Sequence, residues 1–164
     1  MDEQRVEVVE QALRDAGVEF ERPGPGVFVA ALPGERRLKT ACWLTVGEHA
    51  LTVEAFVMRH PEENREQVHA YLLRHNARTY AVSWSIDAQG DVYLTGHVPL
   101  GAITPEELDR ILGAVLEYAD SAFNALLQLG FGSSIKREWQ WRVKRGESLA
   151  NLAAFADFAQ RDDR

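Results

Sequence analysis

Apolar residues recur every three or four positions in three parts of the chain, and this period is typical of helices with one buried face. The predicted helices cover residues 2–16, a segment over 61–76, and a long segment that begins with Thr-Pro-Glu-Glu at 104–107. That last sequence combines a capping-box pattern with proline at the first helical position. We predict that the long helix ends at Gly-Phe-Gly, 130–132, because glycine commonly follows the last turn of a helix.

Between these helices the residues alternate between apolar and polar, which is typical of strands with one buried face. Six such segments are separated by turn sequences: 18–22, 27–32, 38–46, 50–58, 80–86 and 92–98. Two of the connections indicate hairpins and therefore antiparallel pairing. The sequence predicts an α+β fold, a two-layer sandwich of helices on an antiparallel sheet of five to six strands, in the order α-β-β-β-α-β-β-α plus a C-terminal extension.

The period of two also assigns each strand residue to one face of the sheet. The face toward the helices is predicted to hold Leu38, Cys42, Leu44, Val46, Leu51, Val53, Val57, Val82, Trp84, Ile86, Val92 and Leu94. The opposite face would then carry Trp43, Phe56, Met58 and Tyr93 among serine and threonine. Such a surface suits an apolar anchor from a partner protein or a second subunit, unless the C-terminal extension or a loop covers it.

Composition and charge narrow the classes of function. Of the 164 residues, 46% are hydrophobic and 26% charged, as in an ordinary soluble globular domain. The net charge of −7 repels polyanions in general, so a nucleic-acid site would need a local basic patch. The chain starts with an acidic segment rather than a signal peptide and has no long apolar run, so we expect a cytoplasmic protein.

One basic segment lies near the end of the chain, over residues 136–145. Its candidate nucleic-acid-binding residues are Lys136, Arg137, Trp139, Trp141, Arg142, Lys144 and Arg145. Single-stranded nucleic acid would stack on the indoles while the cations hold phosphates. We favour instead a strand or turn whose tryptophans pack on the body of the protein and whose cations face the acidic first helix. A short alanine-rich helix over 148–160 would follow.

The residue types that commonly carry catalysis or bind metals form no recognised motif. His69 and His75 are six positions apart, so their rings would not share a helix face. Cys42 is the single cysteine and is predicted to be a core thiol. The glutamate pairs at 62–63 and 106–107 open helices, where the helix dipole explains them. We therefore predict no catalytic, cofactor or metal site, and an enzyme is the least favoured class of function.

Three segments of the sequence resemble the YbjN family: Tyr-Leu-Leu-Arg-His-Asn at 71–76, Asp-Ala-Gln-Gly-Asp-Val-Tyr-Leu at 87–94, and Thr-Pro-Glu-Glu-Leu at 104–108. The segment at 133–142, Ser-Ser-Ile-Lys-Arg-Glu-Trp-Gln-Trp-Arg, is similar to the actinobacterial branch of that family. YbjN proteins are similar in fold to the small dimeric chaperones of type III secretion.

The resemblance carries expectations about function and domain organisation. It implies a homodimeric, non-enzymatic protein that binds other proteins or acts in regulation, in a role labelled sensory transduction or stress regulation. Residues 1–132 would form the YbjN-like α+β domain. Residues 133–164 would be a C-terminal extension packed on that domain or extending it.

Overall fold

A six-stranded sheet and four α-helices make up the part of the chain that the computed structural model describes, residues 2–161. In chain order the elements are α1 (Glu3–Asp15), β1 (Glu19–Gly24), β2 (Val27–Pro33), β3 (Lys39–Val46), β4 (Ala50–Met58), α2 (Arg65–His75), β5 (Ser83–Ile86), β6 (Val92–Pro99), α3 (Pro105–Arg145) and α4 (Ala156–Gln160). Short 3-10 turns span Asn76–Arg78, Leu100–Ala102 and Ala150–Phe155.

All strand pairs are antiparallel, and the strands lie side by side in the order β1-β2-β3-β4-β6-β5. The predicted α+β class, with helices on an antiparallel sheet, is confirmed. Four strands precede α2, which agrees with the four strand segments predicted there, whereas the predicted element order counted three. Strands β1 and β2 are joined by a tight turn. Gly26 supplies the left-handed backbone of that turn, with φ 68°.

The core lies between the sheet and the helices. Burial alternates along β2, β3 and β4, as expected for strands with one face covered. Helix α3 packs across the covered face, and α1 and α2 lie beside it. The fully buried side chains include Leu13, Phe28, Leu44, Leu94, Leu108 and Leu126.

Two residues predicted to lie in the core remain exposed. Leu38 is 82% exposed because it precedes β3, and Thr40 takes the first buried position of that strand instead. Ile86 ends the edge strand β5 and is also exposed. Leu38 thus lies just outside its strand and Ile86 at the end of an edge strand, where the alternation of buried and exposed residues no longer holds.

Met58 was predicted to share the outer face with Trp43 and Phe56, and this placement is wrong. The pairing of β4 with β6 shifts between Phe56 and Met58, which marks a bulge at the end of β4. A bulge adds one residue to a strand and reverses the alternation after it. Val57 and Met58 are therefore both buried, and Met58 is only 3% exposed.

Helical geometry breaks at Gly130-Phe131-Gly132 as predicted, but a second helical stretch follows directly instead of a strand or turn. Helix α3 continues to Arg145 with a kink at Phe131, whose φ of −136° and ψ of 19° are not helical. The basic segment 136–145 is therefore part of a helix and not the predicted strand or turn. No helix within residues 2–161 has both the length and the apolar character needed to span a membrane.

The chain after α3 packs against the second half of that helix. Phe155 and Ala159 are buried, and the ring of Phe158 lies close to Gly132. The predicted helix over 148–160 is a 3-10 turn followed by the short α4. The predicted division of the chain at residue 132 falls at the kink in α3, and as a domain boundary it stays a prediction.

Candidate protein-binding surface

The face of the sheet turned away from the helices carries three aromatic residues, Trp43, Phe56 and Tyr93, which we call the outer aromatic surface. Trp43 comes from β3, Phe56 from β4 and Tyr93 from β6, and Phe56 and Tyr93 are direct cross-strand partners. Their rings meet edge to face, with centroids 5.5 Å apart and an interplanar angle of 76°. This arrangement is the favoured one for an aromatic pair.

The outer aromatic surface is accessible. Trp43 is 45% and Phe56 39% exposed, while Tyr93 is half-buried. The C-terminal segment, which would have covered this face in one of the two sequence-based interpretations, packs on α3. Large apolar side chains on an open sheet face are typical of surfaces that bind another protein.

One end of this surface is held by Arg37, a residue that the sequence did not single out. Its guanidinium lies over the ring of Phe56 at 6.0 Å and over that of Phe123 in α3 at 5.4 Å. It donates hydrogen bonds to the carbonyl oxygens of Val57 at 3.2 Å, Phe56 at 3.3 Å and Lys39. Burial lowers the pKa of Arg37. The guanidinium is thus occupied by backbone oxygens and positions Phe56.

Tyr93, the cross-strand partner of Phe56, lies in a negative environment. Its pKa is raised first by burial and then by the charges of Asp87, Asp91 and Glu54. Asp91 itself accepts hydrogen bonds from the backbone N–H of His60 at 2.7 Å and pairs with the His60 ring at 3.1 Å. These contacts with His60 lower the pKa of Asp91, so the carboxylate remains ionised.

Glu62 and Glu63 stabilise a different helix from the one predicted. Helix α2 starts only after Asn64, and Glu63 accepts hydrogen bonds from the backbone N–H of Ser133 at 2.6 Å and from its hydroxyl at 2.7 Å. Glu62 accepts one from the hydroxyl of Ser134. Glu63 therefore caps the second half of α3, just after its kink, while Glu62 binds that half only through the Ser134 side chain.

We expect Glu63→Gln to lower the free energy of unfolding by about 0.5–1 kcal/mol near neutral pH, because a neutral amide is a weaker cap. Hydrogen bonds from the Ser133 backbone and hydroxyl lower the pKa of Glu63 in the folded protein. This stabilisation is therefore present above the unfolded pKa and is lost as the pH falls through the lower folded value.

Thermal melts of the wild type and Glu63→Gln, from neutral pH into the acid range, check this expectation. The gap in Tm between the two proteins should close as the pH falls. Glu35→Gln, which changes an exposed glutamate remote from α3's second half, is the matched control and should melt like the wild type throughout. A gap that widens on acidification would contradict the capping role.

The candidate nucleic-acid-binding residues lie on the last three turns of α3. Trp139 is half-buried and Trp141 is 48% exposed, and residues two apart on a helix point to nearly opposite sides. The two indoles therefore do not form one stacking surface. Arg142 pairs with Glu138 at 2.6 Å, and Arg145 lies over the Trp141 ring at 4.5 Å.

Two other cations of this segment contact residues of α3 and α4, whereas the sequence predicted that they face α1. The Lys136 ammonium lies over the ring of Phe158 at 4.9 Å. Arg137 donates to the hydroxyl of Ser134 at 3.0 Å. Lys144 is exposed. The interpretation in which both tryptophans pack on the body of the protein holds only in part. Trp139 is half-buried, whereas Trp141 is exposed.

The remaining residues of types that often carry catalysis or bind metals make structural contacts. Cys42 is buried on the helix side of β3, as predicted, and burial raises the pKa of its thiol to about 12. His75 stacks on Tyr71 with ring centroids 3.9 Å apart and contacts the Tyr71 carbonyl oxygen at 2.7 Å. Within residues 2–161, no three histidine, cysteine, aspartate or glutamate residues are grouped as a metal site requires.

The fold belongs to a class seen in solved structures of type III secretion chaperones. A chain of the ExsC–ExsE complex matches with a TM-score of 0.55 and 18% identity, covering 77% of this chain and 96% of its own. The Yersinia pestis type III secretion chaperone SycH, solved with a fragment of YscM2, matches with a TM-score of 0.51 and 15% identity, covering 70% and 96%. At these identities the similarity shows a shared fold.

Sequence comparison identifies the family. The family model "YbjN: Putative bacterial sensory transduction regulator" matches residues 5–128, and the chain belongs to this family, as the resemblance predicted. The chain is also 52% identical over 169 aligned positions to the uncharacterized protein Rv0487 of Mycobacterium tuberculosis, covering 96% of this chain and 92% of that protein.

Proposed function

We propose that this protein is a non-enzymatic, chaperone-like binding module that captures a segment of a partner protein on its sheet face or edge, with a regulatory role. In this proposal it is cytoplasmic, acts as a homodimer and needs no cofactor. The observation that carries the proposal is the exposure of Trp43 and Phe56 on a sheet face that the helices leave bare. The similar folds were solved with bound proteins, ExsC with ExsE and SycH with a fragment of YscM2, which supports a protein as partner.

The face of the sheet suits a partner segment better than either edge. Edge strand β1 has an irregular register between Glu21 and Gly24, and its Pro23 lacks the N–H that strand addition uses. The other edge strand, β5, has only four residues. A partner segment is therefore expected to be recognised mainly through side chains on the outer aromatic surface.

We expect the double variant Trp43→Ser, Phe56→Ser to lose partner capture while keeping the fold. Both rings are substantially exposed, so their removal should cost little stability, whereas aromatic anchors at the centre of an interface contribute strongly to binding. In-cell crosslinking of the tagged full-length protein, followed by mass spectrometry with and without nuclease treatment, measures the capture. Far-UV circular dichroism and Tm report the fold.

Trp141→Ser is the matched control, because it removes an equally exposed tryptophan from another part of the molecule. The proposal expects one or two partner proteins recovered by the wild type and by Trp141→Ser, unaffected by nuclease. Unchanged capture by the double variant would refute the role of the outer aromatic surface. Recovery that disappears with nuclease and with Trp141→Ser would assign the function to the basic segment 136–145 instead.

A further inference from the structure

A carboxylate lies at the centre of the outer aromatic surface. Glu54 in β4 is directly opposite Trp43 in β3 and Thr95 in β6, and it lies two residues from Phe56 on the same face. Its side chain is exposed and makes no hydrogen bond or ion pair with any residue in 2–161. An unpaired carboxylate beside an exposed indole and a phenyl ring is suited to bind a cation that can contact all three.

The charges around this centre are mainly negative. Glu19 and Glu21 pair with Ala31 and Val29 of β2, which places both glutamates on the same face as Glu54. Asp87 and Asp91 lie near Tyr93, where their charges contribute to its raised pKa.

The nearby cations lie at the margins. Lys39 is at the start of β3, and His97 is opposite Thr52 near the far end of β4. The guanidinium of Arg37 is occupied by backbone carbonyl oxygens. The centre of the face therefore combines apolar rings with a net negative field.

We propose that the captured segment carries an arginine whose guanidinium stacks on Trp43 and pairs with Glu54, next to an apolar side chain that packs on Phe56 and Tyr93. This inference rests on the proposed function and specifies the chemistry of its partner. A guanidinium is planar and weakly hydrated, so it can stack on an indole and bind a carboxylate at the same time. Trp is also the aromatic residue that binds cations best.

The same arrangement would discriminate against other partners. An acidic segment would place its carboxylates beside Glu54, and like charges at an interface disfavour binding. A polyanion such as nucleic acid is disfavoured for the same reason. A purely apolar segment would leave Glu54 desolvated without a partner.

The test is a selection of random phage-displayed peptides on the immobilised full-length protein, at physiological ionic strength, where distant charges are screened. We expect the enriched peptides to share an arginine beside an apolar residue. The strongest of them is then synthesised, and its affinity is measured by fluorescence polarisation. Glu54→Gln should weaken binding about tenfold, which corresponds to the loss of one charge-assisted contact.

Charge reversal gives the sharper comparison. Glu54→Lys should weaken binding of the original peptide further. It should also bind a second peptide, in which glutamate replaces the arginine, more tightly than the wild type does. Glu48→Lys, the same change of charge at the exposed β3–β4 turn, is the control and should bind the original peptide like the wild type. It separates a specific contact from general attraction of a basic peptide to an acidic protein.

The outcomes separate this inference from the proposed function. The arginine contact is overturned if the peptides lack an enriched arginine, or if they bind Glu54→Gln as tightly as the wild type. If those peptides also lose affinity for Trp43→Ser, the outer aromatic surface remains the binding site. Peptides that bind Trp43→Ser and Phe56→Ser unchanged overturn both, as does a selection that enriches nothing.

Discussion

Replacing Gly96 by alanine is expected to lower the free energy of unfolding by about 3 kcal/mol. Gly96 lies in β6, where a Cβ atom would come within 2.3 Å of the Ala81 carbonyl oxygen and 3.0 Å of Val82 Cγ1. The oxygen belongs to the backbone and cannot rotate away as a side chain would. Ala81 is also held in a left-handed conformation, with φ 62°, by the turn that leads into β5.

Urea denaturation followed by circular dichroism measures this effect. Gly101→Ala is the matched control, since a Cβ at Gly101 meets no atom within 4 Å. We expect the control to stay within about 0.5 kcal/mol of the wild type. Equal stabilities for the two variants would show that the backbone around Ala81 yields easily, and the account of close packing at Gly96 would be wrong.

The second large effect concerns two glycines of the same helix. Gly130→Ala should lower the free energy of unfolding by about 2 kcal/mol, because its Cβ would lie 2.9 Å from Pro61 Cβ and 3.4 Å from Pro61 Cα. Gly113→Ala should raise it by about 1 kcal/mol, because alanine favours helix and nothing lies within 4 Å. The same methyl group would thus act with opposite signs at two positions of α3.

Denaturation curves of the two single variants and the wild type decide the matter. Stabilisation by both changes would mean that Pro61 moves aside easily for a Cβ atom at position 130. Destabilisation by both would mean that Gly113 has a packing role of its own. Only opposite signs agree with the contacts described above.

The sheet and its two faces were predictable because the alternation of apolar and polar residues depends directly on strand geometry. Trp43 and Phe56 are both exposed on the face that this rule assigned to them. Met58 was misplaced because a bulge breaks the rule and is not evident in a sequence that is apolar at both 57 and 58. The same alternation places Glu54 on this face, but its position opposite Trp43 depends on the pairing register, which the sequence does not give.

The continuation of α3 beyond its kink was not predictable from local signals. Glycine at 130 and 132 resembles a helix stop, yet these residues allow close approach of Pro61 and Phe158, which are distant in sequence. The same contacts explain why Glu62 and Glu63 serve α3 and not α2. The family resemblance supplied the fold correctly, whereas the proposed chemistry of a partner rests on the arrangement of side chains on the sheet, which the resemblance does not give.

The two edges of the sheet also affect how copies of this protein behave when they are concentrated. An edge strand with free backbone groups can pair with the edge of another molecule, and repeated pairing produces fibrils. Here one edge carries Pro23, an irregular register and the charges of Glu19 and Glu21, and the other is only four residues long. The protein can therefore keep the outer aromatic surface exposed to solvent with little tendency to form fibrils edge to edge.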